Sequence, residues 1–220
     1  MLIAAVAGFA PAIVNPVRRL GPVTSLVLVH GLLFSAWLIL FTVQAGLIAT
    51  HRTAVHRRLG IAAAVLAAIM LPVGYSTVME QTRRGFDLSG ELNVKSDPIG
   101  EAVFPLGDLV TFTVLVIAGL WHRRRPELHK RLMTLGTIGG MMPAVLGHIV
   151  GHYFSTTPVV LVPMVAIAFF APAVFDRIRE GRFNPLTVWG GIGLFAWANL
   201  RAAVIRPTAP WRDLVEWLAG

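Results

Sequence analysis

The sequence predicts an all-α integral membrane protein, a helical bundle of six to seven transmembrane helices forming a single domain over residues 1–220, and three observations carry that prediction. The chain is 55% hydrophobic and only 14% charged, with a mean hydropathy of +0.70, too apolar for a soluble domain of this length. Its apolar residues fall into seven runs, most of them near the length that crosses a hydrocarbon layer of about 30 Å. Its basic residues sit in short clusters between those runs, where orientation signals belong, so the formal charge of +8 does not imply a nucleic-acid partner. The bilayer is the expected surrounding. Cysteine is absent, which excludes disulfides, thiolate metal sites, cysteine nucleophiles and cysteine-ligated clusters.

The first run, residues 2–16, is at the low edge of a span and is expected to be tilted or partial; without a charged n-region or an A-x-A site it does not read as a cleaved signal peptide. Asn15, Pro16 and the pair Arg18–Arg19 break it. Residues 23–50 form a long span containing His30, Trp37 and Gln44, followed by the basic loop HRTAVHRRL from His51 to Leu59. The next span, 60–79, carries Pro72 and Gly74, which permit a kink in lipid, and Glu80 marks its end. Residues 81–104 are polar and punctuated by Gly85, Gly90, Pro98 and Gly100, with Asp87, Glu91, Asp97 and Glu101 against Arg83, Arg84 and Lys95.

Span 105–120 opens with PLGD, placing Asp108 about one helical turn inside the membrane. The basic stretch WHRRRPELHKRLM then leads into span 132–154, where Gly136, Gly139, Gly140 and Gly147 allow neighbouring helices to approach closely. A turn at Thr157–Pro158, span 159–175, the basic loop DRIREGRFNP and span 186–203 follow. Residues 210–219, with Trp211, Arg212, Asp213, Glu216 and Trp217, read as an amphipathic helix lying at the interface.

If the three basic loops share one side, that side holds eleven of the nineteen basic residues, so it is expected to be cytoplasmic. Loop 81–104 and the tail then face outward, and seven crossings put the N-terminus inside. A repeat is also visible. His56-Arg57-Arg58-Leu59 matches His129-Lys130-Arg131-Leu132, and Gly74 matches Gly147 at the same offset, which suggests a tandem helical hairpin. A positive-inside loop explains the arginines and lysine and leaves the repeated histidine unexplained.

Ionisable groups inside a span need a partner or a role. Counted from the outer face at 1.5 Å per residue, His30 lies about 10 Å deep, His148 about 9 Å, Asp108 about 5 Å and His152 about 3 Å. His148 and His152 share a helix face, and with His30 and Asp108 they make a set suited to zinc or another imidazole-preferring divalent metal. The same residues permit haem b, with His30 and either His148 or His152 as axial ligands between helices. They equally permit a transport or proton pathway, or histidines that only join helices in a structural subunit of a membrane complex. Gln44 and Asn199 are expected to hydrogen-bond between helices, Trp37, Trp189 and Trp197 to pack or form a belt, and Glu80 and Arg201 to pair or face water. The nucleotide-binding and common hydrolase motifs are absent, so whether the chain is an enzyme stays open.

At HGLLFSAWLILFTVQAGLIATHRTAVHRRLG (His30 to Gly60), PLGD (Pro105 to Asp108) and RRPELHKRLM (Arg124 to Met133), the chain resembles bacterial multi-pass membrane proteins in which HGxLFxAW, HRRLG, PLGD and HKRLM motifs occur in this order. These look like relatives of the domain-of-unknown-function membrane proteins with an HR-x-LG signature. The resemblance implies a small six- to seven-helix inner-membrane protein and marks His30, His56, Asp108 and His129. A membrane-protein partner or a homo-oligomer remains open.

Overall fold

The computed structural model describes residues 1–15, 17, 19–90, 92, 94–154 and 158–220. Pro16, Arg18, Glu91 and Thr157, named above, lie outside that set. The described residues form an all-α bundle, in which six helices are long and apolar enough to cross a membrane. The chain has the architecture of a multi-pass membrane protein.

The first apolar run forms α1 (Leu2–Val14), whose 13 residues rise about 20 Å, short of a hydrocarbon layer of about 30 Å. Arg19 folds back beneath it: Nε donates to the Ala12 carbonyl at 2.7 Å and Nη2 donates to that of Ile13, satisfying carbonyls that a helix end leaves open. α2 (Ser25–Ala49) starts at Thr24, whose hydroxyl accepts from the Val27 N–H at 3.3 Å. After a tight reversal in which His51 takes a positive φ of 58°, α3 (Thr53–Arg84) runs further at both ends than its apolar stretch. Its 32 residues rise about 48 Å, so its basic start and its end project beyond a 30 Å slab. Gly85 closes it with φ of 74°, a left-handed position that favours glycine.

The polar loop carries a short helix, α4 (Pro98–Glu101), capped by Asp97, and leads into α5 (Val103–Trp121). α6 (Pro126–Phe154) is the hub, packing on α1, α5, α7 (Pro158–Glu180) and α8 (Pro185–Leu200). Gly140 shows why small residues lie here: a Cβ on it would stand 2.5 Å from Phe112 Cβ and 3.1 Å from the Asp108 carbonyl oxygen. The core joins Trp37, Met70, Phe112, Leu135, Met141, Phe169 and Leu194 from five helices and α6.

α8 runs into a π-helical turn, Arg201–Ile205, and the chain ends in α9 (Ala209–Ala219). As expected of an amphipathic tail, α9 buries Val215 completely against Val78, Met79 and Ala102 and leaves Trp217 77% exposed.

The three basic loops share one end, because contacts tie them together. His56 meets His129, and Arg131 reaches Asp176, which in turn accepts from Thr187. The opposite end gathers Thr24 against Glu80, Ser89 against His148, and Asp97 against Arg212.

Candidate functional site

The end opposite the basic loops brings two of the four proposed ligands within electrostatic reach of one another. His30, on the second turn of α2, stacks on Phe34 with ring centroids 4.1 Å apart, while His148 of α6 lies against Phe9 of α1 at 4.6 Å. The imidazoles of His30 and His148 are within electrostatic reach of each other. His30 Nδ1 is buried and has no hydrogen-bond partner among the described residues.

His148 is held from above by the loop. Ser89 donates its hydroxyl to Asp87 Oδ2 at 2.9 Å and stands 3.3 Å from His148 Nδ1, and Asp87 is itself almost wholly buried. This is not the order of a hydrolytic triad, since the serine bridges the acid and the imidazole rather than receiving a base aligned by an acid. It orients a ring. Gly147 helps by leaving space for Leu92, which a Cβ there would meet at 2.8 Å.

Asp108 does something else. Arg201 Nη2 reaches its Oδ1 at 2.8 Å in a buried ion pair, and Arg201 Nη1 donates to the Phe104 carbonyl at 2.6 Å. The guanidinium also lies over Trp197, 5.4 Å from the ring centroid. Gly107 of PLGD leaves the passage for this side chain, since a Cβ there would collide with it. His152 stacks edge-on against Tyr153 at the helix end. Among the described residues no three His, Asp or Glu side chains converge where they could hold a metal ion, so His30, Asp108, His148 and His152 do not assemble as one ligand set. The reason is physical: Arg201 compensates the Asp108 charge that a cation was expected to compensate.

A second polar network closes the basic end. Arg131, 4% exposed, grips Asp176 with Nε and Nη2, each at 3.1 Å, and Nη2 also reaches Glu180 at 2.6 Å. Thr187 donates to Asp176 at 2.8 Å, joining α6, α7 and α8. Midway, Trp37 Nε1 donates to Thr137 Oγ1 at 3.2 Å, so this tryptophan is a buried link rather than part of a belt, whereas Trp189 is exposed. Asn199 bonds its own helix at the Phe195 carbonyl instead of bridging helices, and Glu80 pairs with Arg84, not Arg201.

Arg201 and Arg131 were the residues that sequence reasoning undervalued. A signal existed for Arg201, because it is a lone cation following one apolar run while Asp108 is a lone anion in another at similar depth, and such charges seek each other. No signal of that kind pointed to Asp87 or Ser89, which sit in an ordinary polar loop.

Compared with known proteins, the chain matches no family model, no curated protein and no solved structure.

Proposed function

We propose that this multi-pass protein binds haem b between α2 and α6 near the outer face of a bacterial inner membrane, with His30 and His148 as axial ligands. The observation that supports it is the pair of imidazoles brought near each other across two helices, with His30 Nδ1 buried and unpartnered among the described residues. Two protein ligands suffice for a haem iron, because the porphyrin supplies the other four nitrogens, whereas a bare zinc ion in an apolar interior needs three or four. Ser89, held by Asp87, plays the part of an outer partner that fixes the orientation of a ligating ring. The bacterial inner membrane rests on the motif resemblance, and the orientation rests on the basic loops, which under the positive-inside rule lie in the cytoplasm.

Absorption spectra of the detergent-purified protein test this. A Soret band at about one haem per chain, lost in both His30→Ala and His148→Ala, is expected; a colourless wild-type protein after expression with haem supplied overturns it.

One observation favours a second reading, a proton pathway. His30, Trp37 and Gln44 recur every seventh residue on one face of α2, and Gln44 Oε1 is also buried without a partner among the described residues. Proton flux into proteoliposomes that Gln44→Leu abolishes would select this reading.

A further inference from the structure

The repeated histidine of the two hairpins has a structural counterpart. In the α5–α6 hairpin, His129 Nδ1 donates to the Gly119 carbonyl at 2.7 Å, tying the start of the second helix to the end of the first. In the α2–α3 hairpin, His56 holds the matching position at the start of the second helix, beside the backbone of Gln44 near the end of the first. The two rings lie together at the basic end, with centroids 6.3 Å apart and planes at 80°.

The staple commits His129 Nδ1 as a donor to the backbone, so in the neutral imidazole its Nε2 carries a lone pair. His56 Nδ1 is buried and has no partner among the described residues. One turn along α3, the Gln44 side chain lies against Gly60, and its Oε1 is likewise buried and unpartnered among the described residues. Two buried polar atoms, His56 Nδ1 and Gln44 Oε1, thus stand without a partner among the described residues near the His129 ring.

We propose that His56 and His129 form a transition-metal site between the hairpins, suited to a divalent copper ion, with water completing the coordination. Metal–nitrogen bonds of about 2.0–2.1 Å plus about 1.1 Å from nitrogen to ring centre give a reach of about 3.2 Å per imidazole. Two rings on opposite sides of one ion are then about 6.4 Å apart, and two on a tetrahedral ion about 5.2 Å. The observed 6.3 Å matches the opposed arrangement, which belongs to tetragonal copper rather than to tetrahedral zinc. The Gly119 carbonyl on the second nitrogen of His129 is the kind of outer partner that metal-bound histidines use. Both residues are partly exposed at the basic end. The neighbouring Arg57, Arg58 and Lys130 make the local field unfavourable to cations, so the site is expected to reject magnesium and calcium, which are held chiefly by charge and oxygen donors.

The test uses the full-length protein, stripped of metal and held in lipid nanodiscs, titrated with Cu(II) and followed by electron paramagnetic resonance. About one Cu(II) per chain with hyperfine structure from two nitrogens is expected, weakened at least about tenfold in His56→Ala. His129→Asn guards against misfolding, because its amide can keep the donor to the Gly119 carbonyl while the ligating nitrogen is gone; it should fold and lose copper. His30→Ala should bind copper as wild type does, which separates this site from the outer haem, and a variant lacking the nearby His51 and His122 should do the same. Copper binding unchanged by His56→Ala, binding lost with His51 and His122, or no binding by the wild type overturns the proposal.

Discussion

The ion pair between Asp108 and Arg201 offers the sharpest test of how the end opposite the basic loops is held. Arg201 is 2% exposed and Asp108 5%, and the partners stand 2.8 Å apart where water cannot take over if one is removed. Deleting one partner of such a pair costs about 3–5 kcal/mol, mostly the penalty of leaving the other charge buried and uncompensated. At about 2–4 °C per kcal/mol for a chain of this size, the midpoint of thermal unfolding should fall by roughly 6–20 °C. The two single variants should differ. Asp108→Asn leaves the guanidinium its Phe104 carbonyl and the Trp197 face, whereas Arg201→Met leaves a carboxylate whose one ion pair among the described residues is gone, so Arg201→Met should be worse. Combining Asp108→Leu with Arg201→Met removes both charges and should return most of the loss, because an apolar pair of similar volume is often neutral in such a place. Thermal unfolding in detergent, monitored by size exclusion of the surviving folded fraction, reads all of these variants. A double variant at least as unstable as the sum of the singles would refute the idea that the charges compensate each other.

Three further outcomes are expected. Gly140→Ala should force α5 from α6, since its Cβ would meet Phe112 and the Asp108 backbone, and should cost about 1–3 kcal/mol by the same unfolding assay. Trp37→Phe should cost about 1–3 kcal/mol by leaving the Thr137 hydroxyl alone in the core, and much less when made in Thr137→Val, which a double-mutant cycle measures. Burial raises the pKa of Asp97, but the Gly100 N–H and the Arg212 and Arg206 guanidinia outweigh it and hold the carboxyl below its ordinary 3.8. The stabilisation it gives is therefore present above about pH 4 and lost as pH falls through the depressed value; hydrogen exchange of residues 209–219 should quicken in acid, and Asp97→Asn should remove that acid dependence.

Much of the architecture was legible because a bilayer imposes a simple code. Apolar length marked seven runs, six of which form helices long enough to cross a membrane, and the amphipathic pattern from Trp211 to Trp217 marked α9, since both report how side chains divide between lipid and water. The reach of α3 to Thr53 and Arg84 was hidden, because outside the lipid a helix needs no apolar residues. At the site, depth along each helix was readable but rotation was not. His30 and His148 come within electrostatic reach of each other, while Asp108 was expected to face them and instead faces an arginine 93 positions later. Depth follows from counting residues; facing depends on how helices pack, and nothing local to PLGD encodes Arg201.

The placement of polar grips on α8 has a mechanical consequence. Its first turn is tied through Thr187 to Asp176, and its end is tied through Arg201 to Asp108, at opposite faces of the membrane. A piston stroke of even one turn, 5.4 Å, would tear both ties at once and strand charges in the interior. Sliding is thus denied to α8 while pivoting about either anchor is not. Whatever movement accompanies the protein's work must travel through helices not pinned at both ends.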